Sequence, residues 1–217
     1  MAGADRPIVV DRRDTERGEL VLRRAGSEFE VIANGTFLMD TRDGRSERVL
    51  VSAAMQGMRS ARVLLGGLGV GFSLDEALGH DVAEVVVVEL EPAVVDWARG
   101  PLRGVVERGL EDPRVQLLIG DLRELIPRLR PPFDAICMDV DNGPGWLVHE
   151  QNASLYDHDG LAALAAVLRP GGRLSVWSAH EDDAFEERLR GVFSSLTTTR
   201  VAVPRGPGDV VYVATCC

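Results

Sequence analysis

Cysteine is scarce in this chain: three in 217 residues, one inside an apolar run (Cys137) and two adjacent at the C-terminus (Cys216, Cys217). None has the paired spacing of a disulfide framework or a zinc site. His80, His149, His158 and His180 share no ligand spacing with cysteine or acid on one element, so no metal is expected. No run approaches the roughly 18 apolar residues of a membrane span. The opening MAGADRPIVVDRRD is charged where a secretory signal would be apolar, and the chain reads as cytoplasmic. Basic charge is in deficit: 24 Lys+Arg face 34 Asp+Glu, a formal charge of −10. That field repels phosphate backbones and anionic lipid and attracts cations, so neither nucleic acid nor membrane is an expected partner. Internal repeats and low-complexity tracts are missing too.

What is present is the composition of a globular protein, 45% hydrophobic and 27% charged, at a length that suits one principal domain. Three extended runs, Glu19–Arg23, Phe29–Ile32 and Thr36–Met39, with turn pairs between them such as Asn34-Gly35, predict a small antiparallel β element over residues 1–45. A helical period follows from Ser46, its candidate N-cap, to Met58. From Arg62 onward strands near 62–66, 84–89, 114–119, 133–139 and 171–177 alternate with helices near 71–78, 92–99, 121–129, 157–168 and 181–192. This predicts an α/β fold around a mostly parallel sheet over 46–217. The last runs, 195–203 and 209–215, are joined by a turn too short for a parallel crossover and predict an antiparallel hairpin.

Four signals lie at strand ends. Gly66-Gly67-Leu68-Gly69-Val70-Gly71 joins the first strand to a helix, and Gly67, Gly69 and Gly71 permit a tight turn with a ligand against bare backbone beside a helix N-terminus. A dinucleotide fingerprint would need Gly or Ala at 72, where Phe72 stands, which disfavours NAD. Glu89 ends the apolar strand that carries Val85–Val88, where the doubly wound fold places an acid for ribose hydroxyls. Asp121 follows the third strand; it is positioned to accept from an adenine amino group, to cap the next helix, or both. The fourth strand ends in Asp139-Val140-Asp141-Asn142, where Asp139 is the catalytic candidate, the alternative being that Asp139 and Asp141 only order the loop. The segment Gly143–Ser154 has the length of a lid bringing Trp146 and His149 to the pocket, or of an ordinary surface loop.

Together VLLGGLGVG, VVVVELEPAVVDWAR, RVQLLIGDLREL, FDAICMDVDNGP, SLYDHDGLAALAAVLRPGGRLSVWS and the closing hairpin resemble the class I S-adenosylmethionine-dependent methyltransferase fold, Rossmann-like with a seven-stranded sheet. Within it the chain is most similar to the spermidine synthase branch, including the short N-terminal β extension. The resemblance implies a transferase of polyamine biosynthesis, using decarboxylated S-adenosylmethionine or S-adenosylmethionine and a small amine acceptor. It implies that Glu89 with Leu90 holds the ribose and Asp121 with Leu122 the adenine. It further implies that Asp139 deprotonates and orients the amine, and that Asp141, Asn142 and Tyr156 border the acceptor. Apolar residues of the N-terminal element are the implied homodimer surface. Two departures stand out: the family's glycine-loop acid falls at Gly69, and the second fourth-strand acid is Asn142. They keep open an S-adenosylmethionine-dependent small-molecule methyltransferase and a catalytically silent interaction module.

Overall fold

The computed structural model describes residues 6–130, 132–204 and 208–217. The N-terminal element is a four-stranded antiparallel sheet of β1 (Ile8–Thr15), β2 (Gly18–Ala25), β3 (Glu28–Ala33) and β4 (Thr36–Asp40), in that spatial order. The sequence predicts three of these strands and misses β1. Its IVVDRRDT has no buried face to announce it. Backbone pairing with β2 holds it, together with the Trp97 indole N–H, which donates to Asp11 at 2.9 Å.

The main unit runs α1 (Arg45–Met55), β5 (Ala61–Gly66), α2 (Phe72–Gly79), β6 (Val82–Glu89), α3 (Pro92–Arg99), β7 (Val115–Ile119), α4 (Leu122–Leu125), β8 (Phe133–Met138), α5 (Ala153–Tyr156), α6 (His158–Val167), β9 (Leu168–Ser178), α7 (Asp183–Val192), β10 (Ser195–Val201) and β11 (Asp209–Thr215). The strands form a seven-stranded sheet in the order β10-β11-β9-β8-β5-β6-β7. Pairing from β9 to β7 is parallel, whereas β11 runs antiparallel to both β9 and β10. The closing hairpin is therefore as predicted, although residues 205–207 of its turn lie outside the described residues.

Strand β6 explains why the sheet is covered on both sides. Val85 and Val87 enter one core with Leu65, α1, α2, α3 and residues of β2 and β3, while Val86 and Val88 enter the other with Leu64, α6 and α7. A strand with no solvent face has no reason to alternate polar with apolar residues. The N-terminal sheet thus shares a core with the main unit through Leu20, Leu22, Val31 and Ala33.

Helix boundaries follow local chemistry. Asp121, Asp157 and Asp182 each accept a backbone N–H at the start of α4, α6 and α7, the N-cap role of a short carboxylate. Pro92 opens α3, where its missing N–H costs nothing. Two expectations are corrected. The N-cap of α1 is Gly44, not Ser46, whose hydroxyl instead donates to Glu47. The helix expected over 121–129 breaks after Leu125 into a 3₁₀ turn, Ile126–Arg128, because Pro127 lacks the N–H the α-helix needs.

Candidate active site

In an open parallel sheet, ligands lie beyond the carboxyl ends of the strands where the strand order reverses. Here that point is β5, with β6 on one side and β8 on the other. A cavity of about 540 Å³ opens there. Its floor comes from the segments following β5, β6, β7 and β8; β4, the first turn of α1 and the β10–β11 hairpin wall it in.

The glycine loop meets the fourth-strand end by main-chain bonds. Asp139 N donates to Gly66 O at 2.8 Å and Gly67 N to Val88 O at 2.9 Å, extending the ladder past the strands. Gly67, Gly69 and Gly71 all have positive φ (98°, 56° and 103°), which glycine adopts without a Cβ penalty. Gly67 and Gly69 line the cavity; Gly71 does not, and is the left-handed residue that starts α2.

Glu89 is buried, and its two oxygens accept Leu68 N–H at 2.9 Å and Glu91 N–H at 2.8 Å. One carboxylate so joins the glycine loop to the β6 end. Burial raises its pKa, opposed by those backbone bonds. Leu90 and Leu122 line the cavity beside it. Arg17, from the β1–β2 turn, donates to Leu90 O and to the Glu91 carboxylate, sealing this end. Asp121 both caps α4 and lines the cavity, and the Arg123 guanidinium keeps its carboxyl below the ordinary range.

Asp139 faces the cavity just beyond β8, where burial first, then the charges of Glu47, Asp209 and Glu89, push its pKa up to about 8. Asp141, at a positive φ of 58°, accepts His149 N–H at 3.2 Å and Asn152 Nδ2–H at 2.9 Å. It orders the following loop while still lining the cavity. Asn142 is 7% exposed and lines the cavity, with its Nδ2 unpartnered. Trp146 and His149 reach the cavity as well. Tyr156 does not line it: its hydroxyl donates to Val140 O at 2.7 Å and its ring packs edge-on against Phe185.

Glu47 in α1 and Asp209 at the start of β11 also line the cavity, with Asp40 and Asp43. Sequence reading does not single these out. An acid in a helix's first turn is ordinary dipole complementation, and only the tertiary fold shows which face of α1 meets β11. Arg42 is the one arginine among the described lining residues, and it is held by Glu30 and Asp40.

Comparison with known proteins gives this arrangement a context. A family model described as spermine/spermidine synthase domain matches residues 44–216. A polyamine aminopropyltransferase of Mycobacterium tuberculosis is 31% identical over 176 residues, covering 78% of this chain and 32% of that protein. Polyamine aminopropyltransferase 2 of Pseudomonas aeruginosa is 34% identical over 169 residues, covering 72% of this chain and 46% of the relative. The chain therefore spans between about a third and a half of the length of these relatives. Among solved structures, a spermidine synthase in complex with the transition-state analogue AdoDATO superposes with a TM-score of 0.80 at 20% identity, covering 95% of this chain and 73% of the other. The spermidine synthase of Thermotoga maritima gives 0.78 at 19% identity, covering 95% and 72%. These two likenesses establish the fold.

Proposed function

The chain belongs to the spermine/spermidine synthase domain family, and we propose that it transfers the aminopropyl group of decarboxylated S-adenosylmethionine to a small amine. One observation carries this reading: the cavity is lined by Asp40, Asp43, Glu47, Asp139, Asp141 and Asp209 beyond the nucleoside end, and Arg42, the one arginine among the described lining residues, is already held by Glu30 and Asp40. A donor that keeps its carboxylate would meet that field without a free cation among the described residues. A donor stripped of it, bearing a sulfonium and an ammonium, is attracted.

The bound nucleoside anchors the reaction. In this reading Glu89 accepts from the ribose hydroxyls, Asp121 from the adenine amino group, and Gly67 and Gly69 let the ligand lie against backbone. Transfer is then an in-line displacement: the amine lone pair forms a new C–N bond as the C–S bond breaks, and methylthioadenosine leaves with the electron pair. Catalysis is chiefly alignment of nucleophile and electrophilic carbon. The amine arrives protonated at neutral pH; in the free protein Asp139 itself holds a proton up to about pH 8, and the sulfonium of the bound donor favours its carboxylate, which then takes the proton of the amine.

The test is incubation with decarboxylated S-adenosylmethionine and 1,4-diaminobutane, reading methylthioadenosine and the aminopropylated amine by mass spectrometry. Both products are expected. Formation of S-adenosylhomocysteine from S-adenosylmethionine, with no reaction of the decarboxylated donor, would establish a methyltransferase instead.

A further inference from the structure

Strands β8 and β9 end side by side at the cavity. Met138 pairs with Val176, so the next residues along the two chains, Asp139 and Trp177, leave the ladder as neighbours, and both line the cavity. Just beyond, Ala179 donates its N–H to Asn142 O at 3.1 Å, and a β-carbon on Gly143 would run into Ser178. The backbone of Asn142 is thereby pinned against the end of β9, and its side chain lines the cavity beside Trp177. Asp209 stands level with Ala179 on the far side, because Val210 pairs antiparallel with Ser178.

Two hydrogen-bond donors on this wall lack partners. Asn142 is more than nine-tenths buried, and its Nδ2–H makes no hydrogen bond among the described residues; the Trp177 indole N–H is likewise buried and unpartnered. Native proteins satisfy nearly all buried polar groups, so a pair left open on one cavity wall marks a place where a ligand supplies the acceptor. Carboxyl groups stand around the pair: Asp139, Asp209 and Glu47 line the same cavity. The combination is restrictive. A ligand carboxylate would satisfy the N–H groups but is repelled by the acids. An ammonium is drawn by the acids but has no lone pair to offer the N–H groups. A hydroxyl meets both demands, since its oxygen accepts from the amide or indole N–H while its proton is donated to a neighbouring carboxyl. Burial, then the charges of Asp209 and Asp43, raise the Glu47 pKa, so this wall calls for a counter-ion less strongly than its number of acids suggests.

We infer that Asn142, with Trp177, forms a subsite for a hydroxyl group on the acceptor, and that the preferred acceptor is a short amino alcohol. The inference rests on the aminopropyl-transfer reading. The amine nitrogen forms the new C–N bond as the C–S electron pair departs with methylthioadenosine, the amine proton passes to Asp139, and the hydroxyl stays unchanged at the wall. Neighbouring chains of a sheet lie about 4.8 Å apart, so an amine at Asp139 and a hydroxyl at this wall are separated by only a few carbons. The product is a secondary amine with a hydroxyl at one end and an ammonium at the other.

Calorimetric titration into protein saturated with methylthioadenosine tests this, with three- and four-carbon sets: 3-amino-1-propanol and 4-amino-1-butanol, the diamines of the same lengths, and 1-aminopropane and 1-aminobutane. At one of the two lengths the wild type is expected to bind the amino alcohol about tenfold more tightly than the alkylamine, and more tightly than the diamine. Asn142→Asp exchanges the donor for a charged acceptor at nearly constant shape, and should lose that preference and turn to the diamine. Trp177→Phe, which removes only the indole N–H, should weaken the amino alcohol selectively. Methylthioadenosine affinity serves as the check that each variant is folded. Equal affinity for amino alcohol and alkylamine would mean that water completes the two donors, and preference for the diamine would mean that the carboxylates alone choose; either overturns the inference. So does a folded Asn142→Asp that keeps the wild-type order. The wild-type comparison decides the matter even if a variant fails to fold. A protein that prefers the amino alcohol in binding but transfers no aminopropyl group sinks the reaction and leaves the subsite standing. One that aminopropylates all three classes with equal kcat/KM sinks the subsite and leaves the reaction standing.

Discussion

A β-carbon on Gly67 would run into the carbonyl oxygen of Asp139. The loop proposed to receive the nucleoside and the strand end that carries the proposed base therefore touch backbone to backbone, with Asp139 N–H donating to Gly66 O on the same seam.

Gly67→Ala is accordingly expected to damage both stability and binding. At φ 98° an alanine is strained by about 1–3 kcal/mol before the clash is counted. Urea unfolding should report a loss of at least that size, and methylthioadenosine titration a loss of nucleoside affinity. An alanine variant with wild-type stability would mean that the seam yields easily.

Glu89→Gln tests the joint between glycine loop and β6. The carboxylate accepts two backbone N–H groups, and an amide nitrogen in place of one oxygen would set donor against donor. Removing an acceptor from a buried donor costs about 1–3 kcal/mol. Weaker methylthioadenosine binding and a lower melting temperature should appear together; loss of affinity at unchanged stability would mean that only the ribose contact matters.

How much of this was legible beforehand depends on whether the residue's role is local. Glu89 ends a run of valines buried on both sides, so strand, edge and charge can all be read from consecutive residues. Asp139 is legible for the same reason. Glu47 and Asp209 are not: each looks like a solvated acid in its own segment, and only the packing of α1 against β11 gathers them. Strand β1 was invisible because its side chains are largely exposed and its hold is backbone pairing. Tyr156, expected to border the acceptor, instead sits behind Val140, where an aromatic ring serves the core.

Tyr156→Phe separates those two roles. The hydroxyl's bond to Val140 O supports the segment between Asp139 and Asp141 from behind. Its loss should cost about 0.5–1.5 kcal/mol of stability, the net worth of an ordinary hydrogen bond to a part-buried carbonyl, with nucleoside affinity preserved. A variant that is fully stable but has lost acceptor binding would restore the tyrosine to the acceptor site.

The last prediction follows from the proton on Asp139. Its pKa stands at 3.8 for an ordinary aspartate and at about 8 in the fold, so between those values the folded protein holds a proton that the unfolded chain has released. Stability from this group therefore falls as pH rises from about 4 to about 8 and is level above that. Asp139→Asn removes the titration. Relative to wild type, the variant should gain stability progressively across the same interval, read as the difference in urea midpoint at pH 5 and pH 8, while losing aminopropyl transfer at every pH. With donor bound, the sulfonium favours the carboxylate, so the rising limb of the wild-type rate profile should lie below the value in the free protein. If Asp139→Asn instead ran parallel to wild type from pH 4 to 8, Asp139 would be ionised throughout the folded state, and its part would be to attract the amine rather than to hold its proton.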